Sequence, residues 1–561
     1  MAKRSAAKYA IGVDYGTNSV RALLVDVASG EEIATHAYPY PSGHEGILLD
    51  PRDPNLARQD PADYIKGFFV SVGTVVQMAS KRRGFDAANI IGIGVDTTGS
   101  TPIPVDKAGT PLALGKKFGK NLAAQAWLWK DHTGHAEAAQ ITETARRSGA
   151  PYLAKCGGTY SSEWFWSKIW HCLRSAPAVF HAAHSWVECA DFVPAYLCGN
   201  TDPARLTRGI CAAGHKAMYS DSWRGLPSKA FLMKLSPALA DLRDRLYDQA
   251  VPADQPAGRL DAAVARKVGL AAGIPVATGA FDAHMGAVGA GIRPGTLVKI
   301  IGTSTCDMMV AKNAVDDIPG VCGIVPGSIV PGLIGLEAGQ SAVGDIFNWF
   351  TRQLCPPAYA DGDAHGNLTR AAERLRPGQS GLLALDWNNG NRTILVDPLL
   401  TGLLVGQTLH TTAPEVYRAL VEATAFGAFT IIRRFEEYGV KVREVINCGG
   451  IADKNPFIMQ VYADVCNRPM KISRSAQTCA LGAAMFGAVV GGAYEDVEAA
   501  AESMTGVKSQ VYRPASFAAK IYAQLYTLYR RLHDSFGGVN DAAAMGGIMK
   551  ELIRIRDHAR Q

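Results

Sequence analysis

Two short segments of the chain bring together the residue types that hold a polyphosphate. In YAIGVDYGTNSVRALLVD, residues 9–26, two apolar runs flank the polar turn Asp14-Tyr15-Gly16-Thr17-Asn18-Ser19. In TLVKIIGTSTCDMMVA, residues 296–311, two further apolar runs flank Gly302-Thr303-Ser304-Thr305. A glycine followed by hydroxyl residues lets backbone N–H groups approach an anion closely, and the hydroxyls add donors. One such turn is a weak signal. Two, one in each half, predict a duplicated unit that grips a polyphosphate from both sides. Asp14 closes a strand just before the first turn. That place suits an aspartate that caps a hairpin, and it equally suits a carboxylate that holds Mg2+ through water.

A further acid, Asp282, stands in GAFDAHMGAVGAG, residues 279–291, between a strand and a glycine-rich helix. An N-cap aspartate is common in that place. A carboxylate kept ionised there, facing a cleft, can also take the proton from a hydroxyl that attacks phosphorus. Other nucleotide chemistries are excluded by what the sequence lacks. It has no GxxxxGK[ST] loop and no kinase-type glycine loop with its lysine.

The elements that position these residues follow from the apolar pattern. At 561 residues the chain is too long for one core and predicts two domains of similar size. A strand, a Gly/Thr turn and a second strand recur at residues 90–106. The stretch 151–250 is richer in Trp and in irregular connections, as expected of an insertion that shapes a pocket. The second half restarts at Gly295 and continues through EVYRALVEATAFGAFTIIRRFEEYG, with apolar residues at helical spacing. Next come a strand, the Gly449-Gly450 turn, and a helix with Pro456 at its first position. CALGAAMFGAVVGG is a helix of small residues. The glycines at 291 and 295 mark the expected hinge.

Bulk properties narrow the partners. A net charge of +6 over this length suits an anionic small ligand and does not call for nucleic acid. The eleven cysteines are odd in number and scattered, without CxxC or zinc spacing, so reduced thiols are expected. No hydrophobic signal core and no apolar run of membrane-spanning length are present, so a soluble cytoplasmic protein with no membrane partner is expected.

Read in order, DYGTNSVRALLVD, ARQDPADY, GVDTTGS, GAFDAHMGAVGAG, IGTSTC and CGGIADKNPFIMQVYADV resemble the FGGY carbohydrate kinases. GLLVGQTLHTTAPEVYRALVEA, residues 402–423, matches the second signature of that family, and YSSEWFWSKIW, residues 160–170, loosely matches the first. The segments WLWKDHTGHAEA, GGTYSSEW, CAAGHKAMY, IVPGLIGLEAGQSAVGDIFNWF and LYTLYRRLHDSFGG are similar to one ketopentose branch, not to glycerol or xylulose kinases. The turn Thr97-Thr98-Gly99-Ser100 also departs from the glutamine-containing segment of those two.

The resemblance implies an α/β fold of two ribonuclease-H-like domains, of the actin and hexokinase superfamily, with a cleft between them. Residues 1–291 would form the sugar-binding domain, 292–535 the nucleotide-binding domain and 536–561 a helical tail. It implies MgATP-dependent phosphorylation of L-ribulose at its C5 hydroxyl in L-arabinose catabolism, with D-ribulose, ribitol or xylulose as alternative substrates. Asp282 would be the general base. Asp96, Gly99, Lys216 and Glu337 would line the sugar site with it, and Asp14 would organise Mg2+. Gly16, Thr17, Asn18, Ser19, Gly302, Thr303 and Ser304 would face the phosphates, while Gly449, Gly450 and Asn455 would meet the adenosine. The expected partners are a sugar and ATP, with a homodimer as the candidate assembly. The rival of a different class is an ATP-driven binding protein of the same superfamily, which hydrolyses ATP without a sugar.

Overall fold

The computed structural model describes residues 7–539 and residue 545. In the first half Tyr9–Tyr15 (β1), Ser19–Asp26 (β2) and Glu32–Pro39 (β3) form an antiparallel meander. Ile90–Thr97 (β4) runs parallel to β1 on its other side. Pro256–Arg259 (β5), Pro275–Ala277 (β6) and Ala280–Phe281 (β7) complete the sheet, in the order β5-β6-β4-β1-β2-β3 with β7 also paired to β4.

The second half repeats the scheme. Its strands are Thr296–Ile301 (β8), Thr305–Ala311 (β9), Gly323–Pro326 (β10), Ile334–Ala338 (β11), Glu444–Cys448 (β12), Met470–Ser473 (β13) and Val507–Tyr512 (β14). Their order is β10-β11-β9-β8-β12-β13-β14. β8 is antiparallel to β9 and parallel to β12, as β1 is to β2 and β4. The two polar turns therefore occupy the same topological place in both sheets.

Residues 90–106 form a strand, a turn and a second strand, as expected. Pro102–Val105 does not fold back on β4. It pairs instead with Ser185–Glu188. β4 already has neighbours on both edges, and prolines at 102 and 104 have no N–H to give to a ladder.

Eight helices matter for the site. Pro61–Ala79 (α1) covers β2 and β3, with Tyr64, Phe68, Val72, Val75 and Val76 buried at helical spacing. Asp60 caps it, accepting the Ala62 N–H at 2.8 Å. Phe165–Ser175 (α2) and Ile210–Lys216 (α3) belong to the Trp-rich insertion. Asp282–Gly289 (α4) follows β7 directly. Ala413–Glu437 (α5) opens on a capping box of Thr412 and Glu415. Pro456–Cys466 (α6) starts at Pro456 as expected, and Thr478–Val490 (α7) is the small-residue helix. Ser516–Phe536 (α8) is the last described helix. The expected helical tail 536–561 lies outside the described residues from 540 onward, save residue 545.

Small residues decide how the halves join. A Cβ on Gly12 or Gly94 would stand 1.7 or 1.8 Å from the carbonyl oxygens of Ala480 and Ala483, so α7 lies with its backbone directly on the first sheet. A Cβ on Gly482 would stand 1.9 Å from the Met285 carbonyl, so α7 also crosses α4 backbone to backbone. α4 in turn packs Met285 and Val288 into a core shared with Val298 and Met308 of the second sheet. Each half thus lends a helix to the other. Among the described residues no helix is long and apolar enough to cross a membrane, and all eleven cysteines are free.

Candidate active site

Both polar turns are buttressed from behind and open in front. In the first, the Gly16 N–H donates to the Ser19 carbonyl at 3.0 Å. The Thr17 hydroxyl accepts from the Trp129 indole at 3.0 Å, and the Thr17 carbonyl accepts from Gln59 at 2.7 Å. The Asn18 amide donates to the Glu45 carbonyl at 2.6 Å. In the second, the Gly302 N–H donates to the Ser304 carbonyl at 2.9 Å, while Val343 and Asp345 donate to the Thr303 carbonyl. Asn18, Gly302 and Thr303 are exposed. These turns are held in shape by the protein and leave polar groups free for a ligand.

Gly449 and Gly450 lie beside the second turn, because β12 runs in register with β8 as far as Cys448 opposite Ile300. Gly449 has φ +95°, and a Cβ there would stand 2.4 Å from the Ile301 carbonyl, so only glycine fits. Around Gly450 a Cβ would meet nothing within 4 Å. Asn455 is differently engaged. Its side chain caps α6 by accepting the Ile458 N–H at 3.1 Å and donates to the Thr369 hydroxyl at 3.3 Å.

Three carboxyl groups converge at the ends of β1, β4 and β7. Asp14 and Asp96 stand opposite each other on β1 and β4, and Ala280, two residues before Asp282, stands opposite Asp96 on the other side. Neither oxygen of Asp96 meets an N–H or O–H donor among the described residues, although the side chain is fully buried. Burial, the Asp14 charge and the Asp282 charge all push the Asp96 carboxyl well above its usual range. Burial also raises Asp14, opposed by contact with Asp96 and by Arg21. Asp282 retains some exposure, but desolvation by its surroundings, then the Asp14 charge, pushes it up to about 7. The Ala283 N–H, donating at 2.7 Å, works the other way. With no donor for either oxygen of Asp96, the cluster is short of positive charge. A divalent cation held by Asp14 and Asp96, directly or through water, fits that deficit.

Beside this cluster is a second one that joins the halves. Lys216, at the end of α3, donates to both oxygens of Glu337 on β11 at 2.8 and 3.0 Å. Its ammonium lies 5.4 Å from the Trp164 ring centroid and 5.7 Å from that of Phe281. Despite burial, the Lys216 ammonium, by its charge and its hydrogen bonds, holds the Glu337 carboxyl far below its usual value. Burial itself keeps both imidazoles neutral, with His284 lowered to about 4. Gly99 completes the wall, since a Cβ on it would stand 1.8 Å from the Phe281 ring.

Models of the FGGY family of carbohydrate kinases match the chain over residues 9–289 (N-terminal domain) and 297–490 (C-terminal domain). The chain belongs to that family. Curated FGGY relatives named ribulokinase include that of Halalkalibacterium halodurans, 42% identical over 98% of both chains. That of Geobacillus thermodenitrificans is 43% identical over 99% of this chain and 98% of its own. Among solved structures the fold is similar to xylulose kinase from Rhodospirillum rubrum, at TM-score 0.76 and 22% identity over 95% of this chain and 99% of that one. It is also similar to Plasmodium falciparum glycerol kinase with ADP, at TM-score 0.75 and 14% identity over 94% and 98%. The α/β fold of two related domains is therefore that of the FGGY kinases, and the protein is a carbohydrate kinase that takes a sugar and ATP.

Apart from Asn455, the sequence-expected residues fall into three groups: two phosphate-type turns with Gly449 and Gly450 alongside, the carboxyl cluster, and the Lys216–Glu337 pair behind Gly99. Asp96, expected at the sugar, stands with Asp14. Two neighbours escaped the sequence reading: His215 and His284. The two histidines sit inside quoted motifs, one before Lys216 and two after Asp282, and that proximity was the available signal. Trp129 reaches Thr17 only through the fold.

Proposed function

We propose that the chain is a MgATP-dependent ribulokinase that phosphorylates L-ribulose on its C5 hydroxyl. The observation that carries this reading is the placement of Asp282. It stands at the start of α4 as a member of the carboxyl cluster, within reach of the charges of Asp14 and of the Lys216–Glu337 pair, with its proton affinity raised to about 7. A carboxylate tuned to that value accepts a proton from the attacking alcohol far better than one at the usual value. The identity to relatives named ribulokinase over nearly the whole chain supports the choice of sugar.

Lys216 and Glu337 offer donors and acceptors to the sugar's carbonyl and hydroxyl groups from opposite halves of the molecule. The sugar's primary hydroxyl would lie at Asp282, and the terminal phosphate between the turns at Gly16–Ser19 and Gly302–Ser304. As the alcohol oxygen bonds to phosphorus, its proton passes to Asp282 and the bond to the ADP oxygen breaks. Mg2+, held from the Asp14 and Asp96 side, would supply neutralising charge to the phosphates when bound. The apolar walls of Phe281 and Trp164 exclude water, which would otherwise compete as nucleophile. The reading carries with it a step in L-arabinose catabolism and a cytoplasmic setting.

The test is ADP release by purified protein with MgATP and L-ribulose, D-ribulose, ribitol, D-xylulose, glycerol or no sugar. A rate that strongly favours L-ribulose and yields a 5-phosphate supports the proposal. A better rate with another sugar overturns the substrate and keeps the mechanism. ATP hydrolysis indifferent to sugar would overturn the reading altogether.

A further inference from the structure

The mechanism leaves unused a buried lysine and a buried glutamate that meet on the same turn. Lys168 of α2 is fully buried, and its ammonium donates to the Ser100 carbonyl at 2.7 Å and the Leu128 carbonyl at 2.8 Å, with that of Trp127 at 3.4 Å. Three carbonyls match the three hydrogens of an ammonium. On the other side, Glu188 accepts the Ser100 hydroxyl and, at 2.7 Å, the Thr101 N–H. Glu188 closes the strand Ser185–Glu188, which is anchored to Pro102–Val105. The backbone around Ser100 is therefore gripped at its carbonyl, its hydroxyl and the next N–H.

What this grip controls is visible one residue away. Gly99 has no room for a Cβ because the Phe281 ring occupies that space, and Phe281 immediately precedes Asp282. A shift of the turn must move Phe281, whose ring lies 5.7 Å from the Lys216 ammonium and whose backbone leads directly into Asp282. The same ammonium also fixes the carbonyls of residues 127 and 128, next to Trp129, whose indole donates to Thr17 in the first phosphate turn.

We propose that Lys168 and Glu188 are positioning residues that set the sugar's seat relative to Asp282 by clamping the turn at Gly99–Thr101. Burial lowers Lys168 and raises Glu188, and the grip itself is made of directional hydrogen bonds. An amide at 188 can keep both bonds, donating to the Ser100 oxygen and accepting from the Thr101 N–H.

The inference rests on the ribulokinase reading for its substrate, and the experiment separates the two. Apparent KM for L-ribulose and for MgATP, with kcat and thermal unfolding, is measured for wild type, Lys168→Met, Ser100→Ala and Glu188→Gln. If wild type does not phosphorylate L-ribulose, the ribulokinase reading fails, and the best substrate of the panel replaces L-ribulose in the KM test. The expected result is a sugar KM raised about tenfold in Lys168→Met and about threefold in Ser100→Ala, with MgATP KM within about twofold of wild type. Glu188→Gln should hold its sugar KM within about twofold, because the conservative amide keeps the clamp. An unchanged sugar KM in folded Lys168→Met overturns the proposal. So does an equal rise in both KM values, the mark of a general loss of structure. If Lys168→Met does not fold, Ser100→Ala decides: an unchanged sugar KM there overturns the proposal.

Discussion

The Lys216–Glu337 pair offers the sharpest quantitative test of the site. Both side chains are almost out of water, at 6% and 8% exposure, and they make two hydrogen bonds of 2.8 and 3.0 Å. Glu337→Gln would leave the ammonium buried beside a neutral amide. Lys216→Met would leave the carboxylate beside two imidazoles that burial keeps neutral. Breaking a buried pair from one side costs about 3–5 kcal/mol, because the remaining charge has lost both water and partner. The double variant, Lys216→Met with Glu337→Gln, removes both charges and should regain most of that loss. The double-mutant cycle should therefore give a coupling of about 2–4 kcal/mol. Urea unfolding at pH 7.5, followed by tryptophan fluorescence, measures it. Single variants that each cost under about 1 kcal/mol, with an additive double, would mean a hydrated pair. That result would refute the walled pocket on which the sugar site depends.

Three further outcomes follow from the geometry. Asp282→Asn should keep sugar and nucleotide binding while turnover falls about 10²–10⁴-fold, as removal of a general base does; near-normal turnover would exclude that role. In the wild type, kcat/KM should fall as pH drops below about 7, because Asp282 then carries its own proton. Its native pKa lies above its unfolded value, so the stability it contributes is complete in acid and is lost as pH rises through about 7. A pH–rate profile and urea titrations over the same range check both signs. Gly482→Ala, whose Cβ would stand 1.9 Å from the Met285 carbonyl, should destabilise by about 1–3 kcal/mol or more, whereas Gly73→Ala, with nothing within 4 Å, should be neutral or slightly stabilising.

What could be read beforehand was local. The two turns announce themselves because strand, glycine, hydroxyls and strand are contiguous, α5 because its apolar residues recur at helical spacing, and α6 because a proline stands at its first position. The close packing of α7 was legible as a run of small residues, but not the surface it packs on. Lys168 and Glu188 were invisible as a unit. Each meets a turn more than sixty residues away, and neither shares a motif with it. The partner of Pro102–Val105 was hidden for the same reason, since Ser185–Glu188 lies in a distant part of the chain.

The exchange of α4 and α7 has a consequence for the chain as a physical object. Residues 290–296 look like a seam, yet they separate nothing that could drift apart. A backbone nick there would yield two fragments, each with one of its helices seated in the other, as in a swapped dimer. The first would keep β1 and β4 but owe their cover to α7 of the second, which donates its carbonyls to the space above Gly12 and Gly94. Nicked protein should therefore migrate as one species until denatured, and neither fragment made alone should stay in solution. Any bending at the seam would have to keep α4 and α7 crossed, because their backbones meet with no room for a single Cβ between them.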